Sequence, residues 1–388
     1  MNDTQRELET TGKLHTQRLQ EYMKDNAIDA FIVRANANLR WLTAAPKVFD
    51  EELAHVGFIT ADAFFLRTDA RYYQTFVERL GDDSFIQLQL TAQNDKAGTD
   101  ANWIAEHISS SGAHNVAVED SITIGFMDDL LSAVKKNVAY PVEFIHARDV
   151  VENLRIKKDS DELALMQRAQ DVTDDALTYI VSYIQPGMTE KQIAQALDNY
   201  ILEHGGDAIS FPTILASGPH GALPHAQPDD RKVEEGDLIV IDFGAVVGEY
   251  HADMTRTVSL GEPSQKQRSV YEVVRRAHER AAEAVHPDVI GSDIHNIAAD
   301  TISEAGYGEF FGHGLGHGVG IEIHENPGFR PAWNKPVPKG SVVTIEPGIY
   351  LPGEFGIRLE DTGVVDDEGF KPFTRYNHDL IVIEPHKA

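Results

Sequence analysis

Four carboxylates and a set of histidines stand in or beside apolar segments in the C-terminal part of this 388-residue sequence. Asp242 is set into Leu238-Ile239-Val240-Ile241-Asp242-Phe243-Gly244, which has the pattern of a buried strand. Gly248 marks a turn, and Asp253 lies in the return segment Tyr250-His251-Ala252-Asp253-Met254-Thr255-Arg256-Thr257, so the two aspartates fall on neighbouring strands. His313 and His317 sit in a glycine-dense frame, Phe311 to Gly320, and His324 follows seven residues after His317. Glycines there let a backbone approach a ligand closely. Glu346 ends the apolar run Val342-Val343-Thr344-Ile345, and Glu360 lies in Gly356-Ile357-Arg358-Leu359-Glu360-Asp361. A charge in such runs is costly unless it is paired or holds a metal. Taken alone, the two aspartates also read as a turn cap and a salt bridge to Arg256. Two Asp, one His and two Glu together exceed what Arg256 and Arg358 can pair. Oxygen-rich ligation with one imidazole suits Mn²⁺, Fe²⁺, Co²⁺ or Zn²⁺, and four carboxylates carry enough charge and bridging oxygens for two such ions.

The elements that must position these groups can be read from spacing. Asp159 with Glu162 opens a helix carrying Leu163, Met166, Ala169, Val172, Ala176 and Ile180 on one face. Gln185-Pro186-Gly187 breaks it, Thr189 with Gln192 caps a second helix through Tyr200 and Ile201, and Gly205-Gly206 stops that one. The same order returns about a hundred residues later: Ser264 with Gln267, a break at His286-Pro287-Asp288, a second helix capped by Ser292, and a stop at Gly306. Strand-like segments follow each pair. This predicts an internal duplication, two similar α+β halves facing each other across a cleft where a ligand site would lie.

Upstream of Asn153-Leu154-Arg155-Ile156-Lys157-Lys158 the pattern differs. Five short apolar runs read as strands: Ala30 to Val33, His55 to Thr60, Ala63 to Arg67, Phe85 to Leu90 and Val116 to Val118, with Ala61-Asp62 as a tight hairpin turn. Helical stretches end near Asn26 and span Ala70 to Leu80, Ala101 to Ser109 and Met127 to Val134. An α/β domain with a mixed sheet is expected, without a Gly-rich phosphate loop.

Composition narrows the function classes. Lys+Arg 34 against Asp+Glu 62 gives a net charge of −28, which repels phosphate backbones and disfavours nucleic-acid binding. Apolar residues at 42% suffice for a substantial core. No run approaches the ~20 apolar residues of a membrane helix, and the polar N-terminus has no apolar signal region. Neither a membrane nor a secretory route is expected, and the cytoplasm is the simplest compartment for a chain with no cysteine. Thiolate metal sites and cysteine nucleophiles are excluded.

The joint pattern resembles the creatinase-like pita-bread metallopeptidases, and within them the Xaa-Pro peptidases (aminopeptidase P and prolidase). The resemblance covers nearly the whole chain and is strongest from Asp159 to Glu384. It implies a creatinase-type N-terminal α/β domain over residues 1–153, followed by a pita-bread catalytic domain over 159–388 with pseudo-two-fold duplication. It implies five metal ligands, Asp242, Asp253, His317, Glu346 and Glu360, with Asp253 and Glu360 bridging two divalent ions, manganese foremost. It also implies substrate contacts from His225 in Leu-Pro-His-Ala-Gln-Pro, from His313 and from His324, site-ordering roles for Tyr350 and Arg358, and proton transfer by Glu346. Phe211-Pro212 and Tyr350 become candidate walls for a proline ring. The implied reaction is hydrolysis of an Xaa-Pro bond by a metal-bridging hydroxide.

Creatinase-like and non-catalytic relatives have lost the ligands, whereas all five residue types stand here. Methionine aminopeptidases usually lack the N-terminal domain and separate the two glutamates by more than the fourteen positions between Glu346 and Glu360. Many prolidases carry an arginine soon after His-Glu-x-Pro; this chain reads His324-Glu325-Asn326-Pro327-Gly328-Phe329-Arg330, with glycine at that place and the arginine two residues on. The sequence therefore leans to an Xaa-Pro aminopeptidase, with an Xaa-Pro dipeptidase as the alternative. The resemblance further implies a homodimer, with Asn38-Leu39-Arg40-Trp41-Leu42-Thr43 as the contact stretch and Trp41 either exposed at the interface or buried in the core.

Overall fold

The computed structural model describes residues 3–50, 52–81, 84–91 and 99–385. Two units emerge, Met1–Arg155 and Ile156–Ala388.

The first unit is built on a six-stranded mixed sheet. Its spatial order is Ile86–Leu90, Phe64–Thr68, Val56–Thr60, Ala30–Val33, Asn115–Glu119 and Glu143–Ala147. The Val56–Thr60 strand runs antiparallel to both its neighbours, and the other pairings are parallel. The predicted hairpin closes with Thr60 N–H donating to Ala63 C=O at 2.9 Å. The edge strand Glu143–Ala147 escapes sequence reading because its burial is broken and its pattern is half polar. So does the helix Asn36–Thr43, which has no side-chain cap and ends on Ala44 in the left-handed region at φ 50°. The first helix is long, Asp3–Asp25, where only its end was evident. Trp41 is 1% exposed and stacks on His15 with ring centroids 4.1 Å apart. Of the two sequence readings for this residue, the core one is right and the exposed one is not.

The second unit has the duplicated pita-bread architecture. Helices Ser160–Tyr183 and Glu190–Glu203 pack on a four-stranded sheet ordered Ile381–Ile383, Met254–Leu260, Leu238–Phe243, Ile214–Ser217. Their shared core includes Leu177, Ile180, Ile193, Leu197, Ile239, Ile241, Met254 and Val258. Helices Gln265–Ala284 and Gly291–Glu304 share a second core with the five-stranded sheet ordered Glu325–Phe329, Gly316–Gly318, Val342–Ile345, Asp361–Asp366, Gly369–Pro372. That core includes Val274, Ala277, Ile294, Ala298, Val343, Ile345 and Val365.

Three of the four helix starts are full capping boxes at Asp159–Glu162, Thr189–Gln192 and Ser264–Gln267, each worth about 1 kcal/mol. The fourth differs from expectation. Ser292 is already inside its helix, whose N-cap is Ile290, and its Oγ donates instead to Asn334 Oδ1 at 2.9 Å. Backbone carbonyls of the neighbouring loop take the first N–H groups of this helix: Gly291 N–H donates to Lys335 C=O at 3.2 Å and Ser292 N–H to Trp333 C=O at 2.9 Å.

Strand alternation then decides what faces the interior between the halves. Ile239, Ile241 and Phe243 enter the first core, so Val240 and Asp242 point the other way. On the partner strand, Met254 and Val258 take the core side, leaving Thr255 and Thr257 on the opposite face.

Candidate metal centre

The two halves enclose a cavity of about 460 Å³, and all ten sequence-predicted site residues line it: His225, Asp242, Asp253, His313, His317, His324, Glu346, Tyr350, Arg358 and Glu360. Phe211 and Pro212 form part of the wall, as the resemblance implied.

Each group is carried there by a local feature. Asp242 is the penultimate residue of the buried strand Leu238–Phe243 and pairs in register with Thr255. Asp253 occupies the break between Tyr250–His251 and Met254–Leu260, its carbonyl accepting from Thr362 Oγ1 at 2.8 Å. His317 is the centre of the three-residue strand Gly316–Gly318. Its flanking glycines are obligatory: a Cβ on Gly316 would lie 2.0 Å from the Thr344 carbonyl oxygen, and one on Gly318 2.6 Å from that of Asn326. Glu346 follows Val342–Ile345, anchored by its N–H to Leu315 C=O at 2.7 Å, and the Glu360 N–H donates to Thr255 C=O at 3.0 Å. That last bond ties the two halves together beside the site.

Ligating atoms of Asp253, His317 and Glu360 all lie within 4.8 Å of one another. His317 Nε2 is 3.5 Å from Asp253 Oδ2 and 3.6 Å from Glu346 Oε1. His317 Nδ1 is 2.9 Å from the Gly318 carbonyl, which fixes the tautomer with its lone pair on Nε2, toward the carboxylates. Burial lowers its pKa to about 4, so it is a neutral donor at neutral pH. Burial and then mutual repulsion push Asp253 and Glu360 well above the usual carboxylate range, and burial raises Glu346 to about 8. In the absence of cations, burial and repulsion favour the protonated form of these carboxyls.

Arg358 is the buried counter-charge. It donates to Asp242 Oδ2, to Thr255 Oγ1 at 3.1 Å, to the Pro224 carbonyl at 3.2 Å and to Tyr350 Oη at 2.9 Å. Tyr350 Oη also meets His313 Nε2 at 3.0 Å. The other Asp242 oxygen, Oδ1, is buried without a hydrogen-bond partner among the described residues. A buried carboxylate oxygen with no donor, on a residue that lines one cavity with Asp253, Glu346, Glu360 and His317, fits a hard divalent cation. Arg256 does not pair with Asp253; it binds Asp361 at 2.7 Å.

Two other His/carboxylate groups among the described residues of this unit are chemically different. In His278–Asp361–His378 the carboxylate is already neutralised by Arg256, and in Glu190–His220–Asp229 the glutamate is saturated by N–H and O–H donors.

Two supporting hydroxyls, and the placing of one arginine already noted in the sequence, escape sequence reading. Thr255 Oγ1 donates to Glu360 Oε2 at 2.7 Å, and Thr344 Oγ1 accepts from the His317 N–H at 3.1 Å. The polar alternation Thr255, Thr257, Ser259 in an otherwise buried strand was the available signal. The arginine is Arg330, which lines the cavity. Its Nε and Cδ lie 3.5 and 3.7 Å from where a Cβ on Gly328 would stand, so it leans back over the glycine found where the resemblance leads one to expect arginine. It stacks its cation over Trp333 at 5.4 Å, with no carboxylate partner among the described residues.

Comparison with known proteins agrees with this architecture. Residues 164–367 match the model of metallopeptidase family M24, and residues 15–157 match the creatinase/prolidase N-terminal domain. A relative named Xaa-Pro dipeptidase from Pyrococcus horikoshii is 32% identical over 361 residues, spanning 93% of this chain and 97% of its own. Among solved structures, an Xaa-Pro dipeptidase from Bacillus anthracis superposes with a TM-score of 0.85 at 31% identity, covering 96% of this chain and 99% of the other. An X-Pro aminopeptidase from Thermotoga maritima gives 0.81 at 34% identity, covering 92% and 98%. No helix among the described residues is long and apolar enough to cross a membrane. The chain belongs to metallopeptidase family M24, a family that works with divalent metal, and carries a creatinase/prolidase N-terminal domain ahead of its pita-bread domain.

Proposed function

We propose that this protein hydrolyses the peptide bond preceding proline, using two divalent cations held by Asp242, Asp253, His317, Glu346 and Glu360, with Asp253 and Glu360 shared between them and manganese the favoured metal. The observation that carries this reading is the partnerless buried oxygen of Asp242 in a cavity where ligating atoms of Asp253, His317 and Glu360 lie within 4.8 Å of one another and Glu346 lines the same wall. When bound, such ions supply Lewis acidity at the scissile carbonyl and a water acidified to near-neutral pKa. The chain's own groups do the rest. Glu346, whose Oε1 lies 3.6 Å from His317 Nε2 on the cavity wall, would take the proton lost by water and return it to the departing proline nitrogen. His225 and His324 stand on the cavity wall, where they can donate to the developing oxyanion, while His313, whose Nδ1–H goes to the Gly314 carbonyl at 2.7 Å and whose Nε2 meets Tyr350 Oη, orders that wall. Arg358 and Tyr350 hold Asp242 and His313 in place. Phe211, Pro212 and Tyr350 offer an apolar wall to a pyrrolidine ring.

The names of the relatives favour the dipeptidase, the alternative of the sequence reading, while the solved aminopeptidase keeps the other within the same fold. Arg330 is the specific feature on this chain that bears on the choice: a cavity-lining cation without a carboxylate partner suits the free carboxylate of an Xaa-Pro dipeptide. Metal-loaded protein is expected to cleave an Xaa-Pro dipeptide, and Arg330→Gln to raise KM for it by about tenfold while changing a tripeptide Xaa-Pro-Xaa far less. Cleavage of the tripeptide alone would return the reading to aminopeptidase; cleavage of neither would end it. We also place the protein in the cytoplasm as a homodimer, a reading that the absence of cysteine and the family resemblance support. A single 43 kDa species in light scattering would rule the dimer out.

A further inference from the structure

We infer that Glu190, a buried carboxylate outside the metal-binding cluster, is a positioning residue for His225, acting through the loop that carries it; this rests on the cavity being the hydrolytic site proposed above. Glu190 is the first residue of the helix Glu190–Glu203 and is fully buried. Its carboxylate is spent on the loop. Oε1 accepts from the Ser217 N–H and Oγ, both at 2.7 Å; Oε2 is 2.7 Å from His220 Nδ1 and accepts from the Asp229 N–H at 3.2 Å. One carboxylate therefore grips the chain where it enters the loop, at Ser217 and His220, and where it leaves, at Asp229. His225 lies between, eight residues after Ser217 and four before Asp229.

The middle of the loop is fixed from the other side. Arg358 donates to the Pro224 carbonyl at 3.2 Å, one residue before His225. Gly356 lies so close beneath it that a Cβ there would stand 1.8 Å from the Gly221 carbonyl oxygen. The loop is thus held at its ends by Glu190 and near its tip by the same arginine that holds Asp242. His225 is exposed on the cavity wall, so its place is set by its backbone rather than by packing. Four donors on a buried carboxylate cannot all be served by an amide, whose NH₂ would confront N–H groups. Glutamine at 190 keeps the shape and loosens one end of the loop.

The test uses metal-loaded full-length protein. Glu190→Gln is expected to speed amide hydrogen exchange across residues 217–229 while leaving the helix Gln265–Ala284 unchanged. It is expected to lower kcat/KM on an Xaa-Pro dipeptide by about tenfold to a hundredfold, the scale of a catalytic group displaced by a fraction of an ångström to one ångström. In a His225→Asn background the same substitution should cost about twofold or less, because its route to the reaction is already cut. Equal losses in both backgrounds, or unchanged exchange in 217–229, would overturn the inference. His220→Asn, which removes one of the four donors from a partly exposed residue, carries the same cycle if Glu190→Gln does not fold. Exchange needs no substrate, so failure to cleave any Xaa-Pro peptide would refute the proposed function while the exchange comparison still judges the hold of Glu190 on its loop.

Discussion

Buried carboxylates occur in both units, and they differ in how their oxygens are used. In the first unit Glu119 accepts from the backbone N–H groups of Arg34 and Ala35 at 2.7 and 2.9 Å and from Asn38 Nδ2 at 2.6 Å. Burial raises its pKa to about 7, yet every feature of its surroundings is that of a strut joining strand ends to the helix Asn36–Thr43. In the second unit Asp253, Glu346 and Glu360 are also buried and also raised, with neighbouring carboxylates among the causes, and Asp242 keeps a buried oxygen with no donor among the described residues. Burial alone does not mark a functional carboxylate. Burial with too few donors does, because the missing stabilisation must come from protons or cations.

The largest effect that sharpens this contrast is expected from Glu360→Gln. It removes one carboxylate from the cluster, so metal binding should fail. Activity should fall by well over the ~100-fold that loss of an outer partner of a metal ligand produces, with circular dichroism unchanged. Substantial turnover in the variant would place the metal elsewhere.

A middle-sized effect concerns pH. Folded-state pKa values of Asp253, Glu346 and Glu360 are raised, so in metal-free protein the stability tied to them is present at low pH and is lost as pH rises, for Glu346 through about 8. His317 and His313 are lowered to about 4 and act in the opposite sense, but only below their ordinary value of 6.5. Between about pH 6.5 and 8 the carboxylates alone decide at this site. Metal-free Tm should fall across that window, and the gain on adding Mn²⁺ should grow. A gain independent of pH would mean that the cluster was not protonated beforehand.

The smallest effect belongs to the strut. Glu119→Gln should destabilise the protein by about 1–3 kcal/mol and leave kcat/KM on an Xaa-Pro dipeptide within about twofold. Because the Glu119 pKa is raised to about 7, the wild-type carboxylate loses its advantage as pH rises through that value, so the penalty in the variant should be smaller at pH 8 than at pH 5. Denaturant titrations at the two pH values measure it.

Much of this contrast was legible in the sequence because local rules carried it. Capping boxes at Asp159, Thr189 and Ser264 announced three helices, and the carboxylates announced themselves by interrupting apolar strands. What was not legible depends on partners far along the chain. Thr255 gains its role from Glu360, 105 residues away, and Glu190 from a loop that only the fold brings to its helix. Ser292 looked like a cap, but carbonyls of Trp333 and Lys335 serve the first N–H groups of that helix. Arg330 could be counted but not placed, since its direction depends on the space over Gly328. The strand Glu143–Ala147 and the helix Asn36–Thr43 lacked both a regular pattern and a cap.

Anomalous diffraction from crystals grown with Mn²⁺ tests the metal centre most directly. Two peaks are expected about 3.5–4 Å apart, both within bonding reach of carboxylate oxygens, with one of them on His317 Nε2 and with Asp253 and Glu360 contributing to each. A single peak, or density at His278 and His378 with the cavity carboxylates facing away from any ion, would contradict it.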